Sequence, residues 1–133
     1  MLLVDTSVWI DFLAGRKTKA VEYFRDRLDV GEAFALTELI YLEVLQRVRE
    51  PDNARKISSY LRGQLLLTPL HGLRTYDAAA SLYRRCRAAG ITIRSTIDCL
   101  IARMAVEHDA VLLHNDRDYE YIARVEPKLK LAP

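Results

Sequence analysis

Leu2-Leu3-Val4-Asp5-Thr6-Ser7 opens the chain and runs three apolar residues straight into a carboxylate and two hydroxyls. A short continuous apolar run bounded by polar residues predicts a strand buried on both faces, as in a parallel sheet. Thr6 and Ser7 are good N-cap types, and Val8, Trp9, Ile10, Phe12 and Leu13 can fill a helix after them. Asp5 then sits at the carboxyl end of a strand, where open α/β sheets bind ligands. Taken alone, Asp5 reads more simply as an Asx-turn cap of that helix. What decides is whether other groups come to meet it.

The same alternation continues along the chain. After a turn at Gly15-Arg16-Lys17, residues 19–29 carry Val21, Phe24 and Leu28 at helical spacing, and Gly31 stops them. Residues 33–36 predict a second strand, and Thr37 caps a helix to about residue 49. Another helix starts at Pro51-Asp52-Asn53 and ends at Gly63. Residues 64–70 predict a third strand, with Pro69 at its end or at an edge position. A long amphipathic helix spans about 76–89, and Ser95 caps a nearly all-apolar helix through Met104. Residues 110–114 form a strand, 119–125 a short helix and 128–131 a final strand. Strands alternating with helices predict a parallel sheet with right-handed crossovers.

Composition narrows the class. At 133 residues, half of them apolar and 29% charged, the chain reads as one soluble globular domain. The start lacks a charged n-region and a long apolar h-region, and no stretch is long enough to span a bilayer, so we expect a cytoplasmic protein without a signal peptide. Cys86 and Cys99 fall in helices with no metal-type spacing and read as buried free thiols. His71, His108 and His114 are scattered, which disfavours a histidine metal site. The net charge of +2 does not by itself indicate nucleic acid. Fifteen Arg against five Lys is suggestive, because arginine suits bidentate phosphate contacts. A genomic composition bias would give the same ratio. Arg84, Arg85 and Arg87 read first as a solvated helix face.

Three further acids stand where an acid is costly or well placed. Glu43 follows Leu39 and Ile40 by four and three positions and so projects from their buried stripe, where a carboxylate needs a partner or a metal. A surface pair with Arg47 is an equal alternative. Asp98 is the only acid of its helix before Glu107 and faces inward with Ile101 and Ala102. Its alternative is a capping box with Ser95, although Glu or Gln is usual there. Asp116 follows the 110–114 strand as Asp5 follows the first, in a turn rich in Asn and Asp. If those two strands are neighbours, Asp5, Glu43, Asp98 and Asp116 converge on one sheet edge. Four carboxylates cannot all stay ionised at short range without compensation. Oxygen-only ligands suit Mg²⁺ or Mn²⁺, and such an ion fits phosphodiester hydrolysis.

These residues carry a resemblance. Leu3-Val4-Asp5-Thr6-Ser7-Val8-Trp9-Ile10, Glu43 in its helix, Arg94-Ser95-Thr96-Ile97-Asp98-Cys99-Leu100-Ile101-Ala102 and Leu112-Leu113-His114-Asn115-Asp116-Arg117-Asp118-Tyr119 together resemble the motifs of PIN-domain ribonucleases, specifically VapC-type toxins of bacterial toxin–antitoxin pairs. No one motif is specific, but their order and spacing cover nearly the whole chain. The resemblance implies a single PIN domain over residues 1–133. The implied fold is a three-layer α/β/α sandwich with a central, mainly parallel sheet of four to five strands. The implied activity is a Mg²⁺- or Mn²⁺-dependent endoribonuclease with Asp5, Glu43, Asp98 and Asp116 as metal-holding and catalytic residues. Arg94 would position the RNA backbone, and Thr6 and Ser7 would fix the Asp5 loop. A homodimer and a VapB-type antitoxin that occludes the acidic cleft are also implied. Asp118 offers a second acid beside Asp116, and Tyr119 stands where Phe is commoner in the family. The competing readings are another metal-dependent phosphoesterase, a catalytically silent PIN-like binding module, and a flavodoxin-like regulatory domain, which would want a lysine near the acidic pocket.

Overall fold

The computed structural model describes residues 1–133. Its centre is β1 (Leu2–Val4), whose three side chains are all buried. β2 (Phe34–Thr37) and β4 (Val111–Leu113) pair with β1 on either side, so that Leu3 meets Ala35 and Leu112. β3 (Leu65–Leu67) extends the sheet beyond β2, and β5 (Lys130–Leu131) extends it beyond β4. All four pairings are parallel and the order is β3-β2-β1-β4-β5. All strands therefore end on one edge. The expected parallel α/β architecture and its five strands are present.

Seven helices flank the sheet in two groups. α1 (Thr6–Leu13) packs against both α2 (Lys19–Asp29) and α3 (Glu38–Leu45), and α3 packs against α4 (Pro51–Arg62). α5 (Leu73–Ala88), α6 (Thr96–Glu107) and α7 (Arg117–Val125) form the second group. The first group holds an aromatic cluster around Trp9, which is fully buried. Its ring centroid lies 5.2 Å from Phe24, 5.9 Å from Phe34, 6.0 Å from Phe12 and 6.2 Å from Tyr60. In the second group α6 is apolar nearly all round, with Cys99, Leu100, Ile101, Ala102, Met104 and Ala105 buried. Cys86 and Cys99 are both free and buried, as their positions predicted.

The boundaries differ from the sequence expectation by two or more residues in several places, one of them β5, which starts at Lys130 rather than residue 128. α3 stops at Leu45 rather than near residue 49, because the amides of Arg47 and Val48 bond back three residues in tight turns. β3 covers only Leu65–Leu67. It is an edge strand with Leu65 and Leu66 exposed, and Pro69 lies beyond it. α5 begins at Leu73, three residues early, because Gly72 adopts φ +57° and lets the chain turn directly into the helix. α7 begins at Arg117, because the Asp116 side chain accepts the Asp118 amide and caps it.

The crossover from β3 to α5 is pinned by Glu107 at the end of α6. Its side chain is 1% exposed, accepts the Thr75 hydroxyl at 2.7 Å and the Leu70 amide at 3.2 Å, and lies 3.5 Å from the Arg103 Nε. Burial alone would raise its pKa. The Thr75 and Leu70 donors, with Arg103 and His71 nearby, outweigh that and hold it below the ordinary 4.5. Glu107→Ala should therefore destabilise the fold by about 1–3 kcal/mol at neutral pH, since the buried Thr75 hydroxyl and the Leu70 amide lose their acceptor. A depressed carboxyl contributes stability that is in place above pH 4.5 and is lost as pH falls through the folded value. Urea unfolding at pH 7 and at pH 3 checks this: the gap between parent and variant should shrink at the lower pH.

Candidate functional site

The parallel strand ends bring the predicted acids to one cleft. Asp5 follows β1 and caps α1, its Oδ2 accepting the Ser7 amide at 3.1 Å and the Ser7 hydroxyl at 2.7 Å. Capping and facing the cleft are thus not alternatives for this residue. The Ser7 hydroxyl also accepts the Asn115 amide at 3.0 Å, which ties the β1–α1 turn to the β4–α7 turn. The Thr6 hydroxyl donates to Glu43 Oε1 at 2.9 Å, so Glu43 is bonded across the cleft and makes no ion pair with Arg47. Burial first, then the Asp5 carboxylate, pushes the Glu43 pKa up against the opposing pull of Thr6 and Arg47.

Asp98 is not in a capping box. The Ser95 hydroxyl caps α6 by accepting the Ile97 amide, while the Asp98 carboxyl turns into the cleft. Burial pushes the Asp98 pKa to about 7, helped by the negative charges of Asp5, Asp116, Asp118 and Glu43. Asp5, Glu43, Asp98 and Asp116 line one cleft of about 340 Å³, together with Asp11, Arg16, Arg47 and Asn115. Carboxylate oxygens of Asp98, Asp116 and Asp118 lie within 4.8 Å of one another. Asp118 is more deeply buried than Asp116 and joins this group as directly.

Two features go beyond the sequence reading. Tyr119 is fully buried, and its hydroxyl points at Asp5 Oδ1 (2.8 Å) and Asp98 Oδ1 (3.4 Å). Burial and the surrounding carboxylates hold it firmly as a phenol, so it serves these acids as a donor. The exchange of Phe for Tyr therefore adds a hydrogen-bond donor among the acids. His114 packs on Tyr119 with ring centroids 5.3 Å apart, and its Nδ1 accepts the Asp116 amide at 3.1 Å. Burial lowers its pKa, so it sits as a neutral imidazole that orients the Asp116 backbone. Arg94 lies against Asp116 and Asp118.

Set beside known proteins, the chain matches the PIN domain family model over residues 2–125. The chain belongs to the PIN-domain family. Among curated relatives of this PIN domain are VapC ribonuclease Mb1587 of Mycobacterium bovis and ribonuclease VapC11 of Mycobacterium tuberculosis. Each is 36% identical over 126 residues, covering 94% of this chain and 93% of the relative. Solved structures share the fold. VapBC-1 from nontypeable Haemophilus influenzae superposes with TM-score 0.73 at 18% identity, covering 98% of this chain and 96% of that one. FitAcB from Neisseria gonorrhoeae gives 0.71 at 16% identity, covering 100% and 97%. VapBC2 from Rickettsia felis, bound to a promoter DNA fragment, gives 0.70 at 15%, covering 98% and 96%. The PIN fold and its acidic cleft thus arise together from the same strand order.

Proposed function

We propose that this PIN domain is a VapC-type endoribonuclease, and the observation that carries the reading is the convergence of Asp5, Glu43, Asp98 and Asp116 on one cleft. The donor set fits a hard divalent cation. It is all oxygen, it comes from four separate elements, and burial together with the neighbouring carboxylates raises the pKa of Glu43 and Asp98, as uncompensated charge does. Asp5, Asp98 and Asp116 would hold Mg²⁺ or Mn²⁺, with Asp118 beside them. Bound there, such an ion supplies Lewis-acid stabilisation of charge on a phosphoryl group.

The chain's own residues do the rest. Tyr119 and Ser7 fix the Asp5 carboxylate from opposite oxygens, which holds the site's shape. Glu43, held by Thr6 and already raised in pKa, is placed to orient the attacking water and take its proton. Arg16 and Arg47 on the cleft wall and Arg94 on its rim are suited to phosphate oxygens of the RNA backbone. The partners that follow are a VapB-type antitoxin covering the cleft and a second copy of the chain. No helix is long and apolar enough to cross a membrane, in keeping with a cytoplasmic site of action. No lysine lines the cleft, which speaks against the phosphoacceptor alternative.

The test is cleavage of purified total RNA by antitoxin-free protein with Mg²⁺ or Mn²⁺ and with EDTA. Discrete cuts that EDTA abolishes are expected, and mapping their ends names the target. Absence of cleavage in either metal, from folded protein, would favour the binding-module alternative.

A further inference from the structure

Arg94 stands in the irregular segment before α6, on the rim of the cleft. Its Nη2 donates to Asp116 Oδ1 at 2.9 Å and its Nε to Asp118 Oδ2 at 3.2 Å, while its backbone N–H donates to the same Asp118 oxygen at 3.3 Å. These are the only hydrogen bonds of its guanidinium, and the side chain is otherwise 73% exposed. The two acids it grips belong to the group whose oxygens lie within 4.8 Å of one another. A guanidinium is a planar, permanently charged fork that matches paired carboxylate oxygens. It therefore supplies, from within the chain, part of the positive charge this group requires. It does so through two of the carboxylates that a divalent ion would use.

We propose that Arg94 is a built-in counter-cation that competes with the divalent metal for Asp116 and Asp118, and that metal binding releases its guanidinium towards the RNA phosphate. The proposal rests on the metal-dependent nuclease reading above and gives it a switch. Without metal the acids are neutralised and the arginine is withheld from substrate. With metal the acids are taken and the arginine is free. The backbone N–H of Arg94 can keep its bond to Asp118 throughout, so only the long exposed side chain has to move. A latched form that holds about nine-tenths of the molecules lowers apparent metal affinity roughly tenfold.

The test is calorimetric titration of Mn²⁺ into metal-free protein. Arg94→Gln removes the charge, and Arg94→Lys keeps the charge but not the fork. The position is exposed enough for both variants to fold, which their melting curves check. Arg94→Gln should bind Mn²⁺ roughly tenfold more tightly than the parent, and Arg94→Lys should also bind more tightly. RNA cleavage by Arg94→Gln at saturating Mn²⁺ should nevertheless fall. An ordinary supporting residue would weaken metal binding when removed. Equal or weaker binding by Arg94→Gln overturns the proposal. Parental affinity in Arg94→Lys also overturns it, since charge at a distance would then suffice. If the parent and both variants bind no Mn²⁺, the metal reading itself falls, an outcome distinct from failure of the latch alone.

Discussion

Asp98→Asn should lower metal-dependent RNA cleavage by about 100-fold or more while making the metal-free protein more stable at neutral pH. The activity loss should exceed the ~10–100-fold typical of residues that only support a metal ligand. Stability moves the other way. Burial, then Asp5, Asp116, Asp118 and Glu43, raise the folded pKa of Asp98 from 3.8 to about 7. A carboxyl raised in the folded state contributes stability that is complete below pH 3.8 and is lost as pH rises to about 7. The parent therefore bears an unfavourable charge above pH 7, and asparagine, of nearly the same shape, does not. Because the group is only half-buried, solvent screening reduces the gain to about 1–2 kcal/mol. Thermal unfolding in EDTA at pH 8 and pH 4 should show the variant melting higher at pH 8 and level with the parent near pH 4. A variant that cleaves RNA at the parental rate would remove Asp98 from the site. A variant that melts lower at pH 8 would contradict the electrostatic account.

Trp9→Ala should be the most destabilising single truncation, at about 3–5 kcal/mol. The indole is fully buried and touches rings from α1, α2, β2 and α4. Its loss leaves a cavity where those elements meet, a large share of the about 5–15 kcal/mol that holds a domain of this size. Trp9→Phe should cost far less, about 1–2 kcal/mol. It keeps an aromatic ring in the cluster and removes an indole N–H that has no acceptor. Urea unfolding of both variants checks the pair. A cost below about 1 kcal/mol for Trp9→Ala would mean the cluster collapses around the gap. Trp9→Phe should retain the Asp5 turn, because Ser7 and Tyr119 hold that carboxylate independently of Trp9.

Much of this was readable from residue order because buried strands and amphipathic helices have different periods. β1, β2 and β4 announced themselves as apolar runs, and Thr37 and Ser95 as caps, and all of them hold. The convergence of acids was readable for the same reason, since parallel strands end on one edge. What was not readable depends on angles rather than spacing. Whether Glu43 pairs with Arg47 or with Thr6 turns on how α3 leans across α1, and the structure gives Thr6. Whether the Tyr119 hydroxyl meets solvent or Asp5 turns on how closely α7 follows β4. Asp118 is adjacent in sequence to the β4 turn, yet its bonds to Arg94 span 24 residues of chain, a contact with no local signature.

The strand order also sets a sequence of events during synthesis. The chain lays down β1, β2 and β3 outward in one direction before it builds β4 and β5 on the opposite flank. Asp5 and Glu43 therefore leave the ribosome early, whereas Asp98, Asp116 and Asp118 come from the last third of translation. Until β4 arrives, β1 has one open edge and the cleft has one wall. Pairing Leu3 with Leu112 joins opposite ends of the polypeptide, the kind of distant contact that makes folding slow. A ribosome making this protein thus holds only half of the acidic constellation until translation is nearly over, and a product truncated before β4 lacks Asp116 and Asp118.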